Sequence, residues 1–302
     1  MTTALLTMLG VSLLAVALRD IFHTLWHPRG LGTISRRTFR AVWRVTRVWN
    51  RREGRSTELA GPLGLLMTVL VWTALVVLGW ALIYWPRMPG GFYYGTSVSP
   101  DRSADFLAAV YLSLVAVATL GFGDIVPSDD VLRLLLPVQA LVGFVLLTAA
   151  ISWILQVYPV LERRRKLARQ LSMMADTDTL TIVRTGHRSV ACSLINGVTD
   201  GITAAEVDLM QYGESYFFRS AEPSHSLPAA MPFVMRLAQA AAAAKAPEVR
   251  HAGRMLDLAT DSLAITLNNG YLNTDGDTAE VIEAFVVDHQ QPAGAARRQP
   301  HR

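Results

Sequence analysis

The chain has 302 residues, 51% of them apolar, and a formal net charge of +4, a balance that fits a membrane protein with a soluble part. Its single cysteine, Cys192, excludes an internal disulfide framework and reads as a small buried residue. The positive charge would suit nucleic acid, but the basic residues cluster beside apolar runs, which fits a membrane surface instead.

Thr3 to Trp26 reads as a first membrane helix, apolar up to Arg19 and Asp20. Ala15-Val16-Ala17 resembles a cleavage site, but no positive charge precedes the apolar run and a basic stretch follows it. A retained helix with its N-terminus outside is therefore expected. Asp20, His23 and His27 share one helix face, the histidines at i, i+4. That spacing fits a metal site; beside Trp26 it also fits interfacial histidines, the plainer reading. Ser35 to Arg52 reads as a basic amphipathic helix. Phe39, Val42, Trp43, Thr46 and Trp49 lie on one side, and Arg36, Arg40, Arg44, Arg47 and Arg51 on the other. Such a helix is expected in the headgroup plane, its arginines on anionic lipid. Gly30-Leu31-Gly32 lacks the strand and third glycine of a dinucleotide loop and reads as a turn.

Gly64 to Trp85 is an uncharged span ending in a belt of Trp80, Tyr84 and Trp85. The arginines before it place the preceding loop in the cytoplasm, so this span runs outward and Pro86 to Arg102 is an extracellular loop. Ser103 to Ala118 is too short to cross. It reads as a re-entrant helix capped by Ser103 or Asp101, with its C-terminal dipole favouring a cation. Val131 to Tyr158 is a third span, expected to kink at Pro137; Pro159 ends the span, and the helix is expected to continue through the basic cluster into Leu167 and Leu171. The cluster Arg163, Arg164, Arg165 and Lys166 then marks the cytoplasmic face and suits lipid headgroups or a plain topogenic anchor.

Between the short helix and the third span stands Thr119-Leu120-Gly121-Phe122-Gly123-Asp124. A dehydrated cation needs oxygens in place of its water shell, and backbone carbonyls can supply them. In a strand successive carbonyls point in opposite directions; aiming them at one axis requires alternating left-handed positions, which glycine adopts cheaply. Gly121 and Gly123 fit those positions, Leu120 and Phe122 would point outward into packing, and the Thr119 hydroxyl could add an oxygen. Asp124 reads as held by the short helix, with Tyr111 as its partner. Asp129 and Asp130 start the next helix, and in an assembled pore they would add negative charge at its mouth.

This run resembles the selectivity filter of potassium channels, T-V-G-Y-G-D, and the resemblance covers roughly Gly61 to Pro159. It looks like the type with one pore loop per subunit. The resemblance implies K⁺ held at Thr119, Leu120, Gly121 and Phe122, with Gly123 completing the filter, and a homotetramer around one axis. It also implies a hinge at Gly143, where close packing is the alternative, and a cavity lined by Phe144, Leu147 and Ile151. Departures bear on filter rigidity: Phe122 replaces Tyr, Leu120 replaces Val, Tyr111-Leu112 stands where relatives have two aromatics, and Val115 stands where some carry Glu.

From Leu161 the sequence reads as a helical cytoplasmic domain, with helices near 161–175, 178–196, 203–219, 228–245, 247–270 and 278–289. It lacks the glycine fingerprint of a Rossmann domain. Asp275-Gly276-Asp277 fails the calcium-loop spacing and reads as a turn and cap. His187, His225 and His251 show no evident partners, so no catalytic constellation, enzyme activity or cofactor is expected. The expected organisation is a membrane helix (1–28), a basic segment (29–60), a pore module (61–160), a helical domain (161–289) and a disordered tail (290–302). The fold class is an all-α membrane protein, multi-pass in the cell membrane with a cytoplasmic C-terminus. The partners are K⁺, membrane lipids and three further copies, with no nucleic acid. A non-conducting membrane-anchored sensor or assembly subunit that works through the cytoplasmic helical domain is the alternative. A K⁺-transporter subunit is a third reading, against which the single pore repeat argues, since that family resembles four weak repeats in one chain.

Overall fold

The structure, a computed structural model, describes residues 2–26, 30–53, 58–95 and 105–289, with the side chains of 49–53 excepted. His27, the side chains of Trp49 and Arg51, the proposed caps Asp101 and Ser103, and the tail 290–302 lie outside the described residues. The chain is an all-α membrane protein. Three helices are long and apolar enough to cross a membrane, at Thr2–Leu25, Ala60–Arg87 and Asp130–Ala175, and Phe106–Val117 is a shorter apolar helix. The residues fall into two compact units. The first comprises Met1–His27, Leu31–Thr38 and Leu65–Leu155; the second comprises Pro28–Gly30, Phe39–Gly64 and Gln156–Arg302.

In the first unit, α1 (Thr2–Leu25) packs on α3 (Ala60–Tyr84) through glycines. A Cβ on Gly10 would lie 2.5 Å from the Gly79 carbonyl oxygen, and one on Gly79 3.1 Å from that of Gly10. In lipid, where apolar side chains gain little by leaving the solvent, such backbone approach is what holds helices together. Arg87 ties the end of α3 by donating to the Ile83 carbonyl (2.6 Å) and to Thr7 Oγ1 (3.2 Å).

Asp20, only 5% exposed, has a role that its sequence does not show. Its carboxylate accepts from Ile34 N (2.7 Å), Ser35 N (3.1 Å), Ser35 Oγ (2.6 Å) and Trp72 Nε1 (2.9 Å). It thus caps the first turn of α2 (Thr33–Glu53) from a different helix, satisfying amides that have no partner inside α2. The oxygens of the suggested metal ligand are therefore engaged by the protein itself.

The re-entrant helix, α4 (Phe106–Val117), starts later than expected. Its cap is Asp105, whose Oδ1 accepts from Ala108 N at 2.8 Å. A two-stranded ribbon flanks it, unforeseen because each strand is only three residues long. β1 (Phe92–Tyr94) pairs antiparallel with β2 (Ile125–Pro127), Phe92 opposite Pro127 and Tyr94 opposite Ile125.

Helix α5 runs unbroken for 46 residues, Asp130–Ala175. Asp129 caps it, Oδ1 accepting from Val131 N (2.9 Å) and Leu132 N (3.3 Å). The helix continues past Pro159 through the basic cluster, as expected, and the stretch read as a helix at 161–175 is part of it. A proline removes one backbone bond; the buried side chains of Val157, Val160 and Leu161 around it supply the packing that keeps the turn helical.

In the second unit α6 (Thr179–Thr185), α7 (Arg188–Gln211), α8 (Leu227–Ala242), α9 (Pro247–Leu267) and α10 (Thr278–His289) accompany the last turns of α5, joined by short non-helical connections. The break expected after 196 falls instead at Gly186. α7 continues through Gly197 and Gly201; a Cβ on Gly201 would meet Leu167 Cδ1 at 2.5 Å, so this glycine is there for packing. After Gln211 the expected helix gives way to a 3-10 turn, Gly213–Phe217. Asp277 opens α10 as a cap, Oδ1 accepting from Glu280 N (3.0 Å) while Asp277 N donates to Glu280 Oε2 (3.2 Å). His187 and His225 do have partners, Ser189 Oγ at 2.8 Å and Glu222 at 3.4 Å. Cys192 is half-buried.

The two large described aromatics on the apolar face of α2 are covered by protein, not lipid. Phe39 and Trp43 are buried against Phe217, and Trp43 also meets Tyr216 and His289. Arg47 pairs with Asp288 at 3.0 Å, Arg40 donates to the Gly270 carbonyl (3.3 Å), and Arg219 stacks on Trp43 at 4.0 Å. Sequence periodicity revealed an amphipathic helix but could not say whether lipid or protein covers it.

At the end of α10, Asp288 also accepts from Tyr216 OH at 2.7 Å, and His289 is buried with Nε2 2.9 Å from the Tyr216 carbonyl and Nδ1 3.1 Å from the Phe285 carbonyl. Burial lowers its pKa from 6.5 to about 4; Arg164 and Arg219 push the same way, and the Tyr216 carbonyl and Asp288 oppose them. The unfolded imidazole therefore takes a proton first. Stability is complete above about pH 6.5 and declines as pH falls toward 4, by on the order of 3 kcal/mol. Amide exchange of α10 in the intact protein should accelerate across that window, and His289→Gln should flatten the dependence. A pH-independent wild type would contradict this account.

Candidate functional site

Helix α4 stops at Val117, and the chain then turns into the glycine-bearing run. The Thr119 amide donates to the Ala116 carbonyl (3.0 Å) and the Leu120 amide to that of Val115 (2.9 Å), so the run begins directly on the helix end. Its backbone alternates in hand. Thr119, Gly121 and Gly123 have φ of +55°, +56° and +76°. Every second residue from Thr119 is left-handed, the alternation needed to turn successive carbonyls toward one side. The glycines were legible in the sequence; the left-handed Thr119 was not, because a β-branched residue pays strain there.

The far end is pinned from two directions. Tyr111 OH donates to Asp124 Oδ2 at 2.7 Å, as the spacing suggested, and Gly95 N donates to the Asp124 carbonyl at 2.8 Å. The side chain thus fixes Asp124 to α4 and the backbone fixes it beside the β-ribbon. Leu120 and Phe122, expected to pack outward, are 57% and 62% exposed within the single chain. Asp130 is exposed and lies 3.9 Å from Arg133, while Asp129 is committed to the cap of α5.

On α5, Phe144, Leu147 and Ile151 are all exposed. A second exposed stripe, Leu134, Val138, Leu141 and Val145, runs along the same helix, so α5 offers two apolar faces. At Gly143 an added Cβ would lie within 2.9 Å of Val117 C and Cα. That contact is with backbone, which cannot rotate away, so Gly143 lets α5 close on the end of α4. The helix passes Pro137 without interruption.

The basic cluster after the third span does not act as one surface. Arg163 forms a two-point ion pair with Asp208 (2.6 and 3.0 Å), and Arg164 donates to the carbonyls of Ser215 (2.5 Å) and Phe218 (2.7 Å). Arg164 is thereby withdrawn from the surface, whereas Arg163 stays exposed while paired. Arg165 and Lys166 are exposed.

A buried polar network was missed at the sequence level. Gln139 of α5 donates through Nε2 to the Ser113 carbonyl (3.0 Å) and Oγ (2.7 Å), and its Oε1 accepts from Tyr84 OH (2.7 Å). Ser113 Oγ donates to the Val77 carbonyl at 2.9 Å. The available sign was an amide inside an apolar membrane-length run, where polar side chains are expensive and rarely idle.

Two membrane-length helices with a short apolar helix and an alternating glycine run between them are thus built from residues 65 to 155. The family model described as "Ion channel" matches residues 65–158. This segment is therefore similar to an ion-channel family. The chain is 26% identical over 171 residues to an uncharacterized membrane protein of Bacillus subtilis (strain 168), YdjJ, a match covering 56% of this chain and 49% of that protein. The chain thus spans about half the length of the curated relative it matches. No solved structure matches. Among the described residues no group of three or more His, Cys, Asp or Glu side chains is placed to hold a metal.

Proposed function

We propose that this ion-channel segment is a K⁺-selective pore, formed by four copies of the chain around one axis and conducting passively. The observation that carries the reading is the alternation of left-handed backbone at Thr119, Gly121 and Gly123, at the end of a helix that stops between two membrane-length helices. In this reading the carbonyls of Thr119, Leu120, Gly121 and Phe122 replace the hydration shell of K⁺. One chain supplies one strand of that cage, so assembly is required, and neighbouring copies cover Leu120 and Phe122. One exposed stripe of α5, with Phe144, Leu147 and Ile151, lines the cavity. Asp124 supports the filter, and Asp129 and Asp130 lie near its mouth. The gate bends at Pro137, where a backbone donor is missing, and Gly143 serves packing.

Four residues span roughly 12 Å of extended chain. Two ions held about 7 Å apart repel by about 2 kcal/mol at an effective dielectric of about 20. That repulsion offsets tight binding and lets ions leave. The arginine distribution puts the N-terminus outside and the second unit, which regulates opening or assembly, in the cytoplasm.

Purified protein in liposomes should carry K⁺ flux that Na⁺ does not support, with tetramers on native mass spectrometry. Equal K⁺ and Na⁺ flux would refute selectivity. Intact tetramers without any flux would favour the membrane-anchored sensor.

A further inference from the structure

Gln139 is fully buried, 0% exposed, at membrane depth, with every hydrogen-bonding group of its amide engaged. Both partners of its nitrogen belong to Ser113 on α4, and the partner of its oxygen is Tyr84 at the end of α3. Ser113 in turn reaches the Val77 carbonyl of α3. One amide therefore joins the three helices around the glycine run. In a low-dielectric interior none of these groups has water to fall back on, so a shift of α4 against α5 strands several of them together. One helical turn further along α5, Gly143 sits against the Val117 backbone. The placement of α4 is thus fixed at two points, an amide at Ser113 and a backbone contact at Val117. The run starts where α4 ends, two residues beyond Val117, so displacement of the helix carries the Thr119 carbonyl with it.

We infer that Gln139 is a positioning residue for ion discrimination: it holds the re-entrant helix in register against the outer and inner helices and so sets the spacing of the filter carbonyls. The inference rests on the proposed K⁺ pore for its functional readout, but the clamp itself can be measured without conduction. Gln139 touches no part of Thr119 to Gly123; it acts only through α4. An apolar side chain of similar size would preserve the packing volume and leave Tyr84 OH and Ser113 Oγ short of a partner.

The test compares wild type with Gln139→Leu, Ser113→Ala and the double variant, all full-length in liposomes and nanodiscs. Gln139→Leu should lower the K⁺/Na⁺ flux ratio roughly tenfold, the equivalent of one buried group left unpaired, while tetramers persist. Ser113→Ala should act in the same direction, and the double variant should be no worse than Gln139→Leu alone, since both remove one shared interaction. Amide exchange across Phe106–Val117 should rise in each. Tyr84→Phe, the mildest change, keeps the comparison open if Gln139→Leu fails to assemble, and should show the same changes at smaller amplitude. Wild-type flux ratios in variants whose α4 exchanges faster would separate the clamp from ion discrimination and overturn the inference. Unchanged exchange in α4 would overturn the clamp as well. A wild type that conducts no K⁺ would refute the pore reading, and the exchange data would still decide whether Gln139 fixes α4.

Discussion

Gly121→Ala and Gly123→Ala should each abolish preference for K⁺ over Na⁺. Both glycines hold left-handed backbone, φ +56° and +76°. Among the described residues nothing beyond its sequence neighbours lies within 4 Å of a Cβ built on either. The penalty is conformational, about 1–2 kcal/mol for each left-handed residue bearing a Cβ. In a fourfold ring it recurs four times, and the backbone can escape it by rotating a peptide so that its carbonyl leaves the axis. An ion cage loses an entire layer of oxygens in that event. Flux in K⁺ and Na⁺ gradients, with tetramer content checked in parallel, measures the effect. Wild-type selectivity in either variant would show that these carbonyls do not form the cage.

Asp20→Ala should be the most destabilising single substitution in the first unit. The side chain accepts four hydrogen bonds, from Ile34 N, Ser35 N, Ser35 Oγ and Trp72 Nε1, and alanine leaves every donor without that acceptor. Loss of a helix cap costs about 1 kcal/mol, and stranded buried donors cost about 1–3 kcal/mol more. A total of about 3 kcal/mol or more is expected. Asp20→Asn keeps one good acceptor oxygen and should lose less. Thermal unfolding in detergent ranks the three proteins. An Asp20→Ala variant as stable as wild type would remove the capping account. A wild type destabilised by chelators would revive the metal reading of Asp20 and His23.

Membrane class was legible because it depends on run length alone: about twenty apolar residues cover a bilayer whatever they pack against. The same holds for the alternating run. Gly121 and Gly123 announce left-handed backbone locally, without reference to any distant residue. The Tyr111–Asp124 bond was also within reach, because both residues sit at the two ends of one short helix-and-turn segment. Helix boundaries in the second unit were not. Gly186 breaks a helix while Gly197 and Gly201 do not, and the difference at Gly201 is the Leu167 side chain against it.

What the sequence determined by itself is therefore what backbone chemistry and segment length determine: the spans, the short helix between them, the left-handed glycines and the likeness of residues 65–158 to an ion-channel family. What only the tertiary structure decided is which polar and amphipathic side chains meet. Asp20 became a cap for another helix, Phe39 and Trp43 turned to protein instead of lipid, Arg163 and Arg164 found acceptors inside the second unit, and Gln139 joined three helices. The physical reason is common to all four. A buried charge, amide or aromatic face must be satisfied, but its partner can come from any part of the chain, and sequence spacing carries no record of which part folds back to supply it.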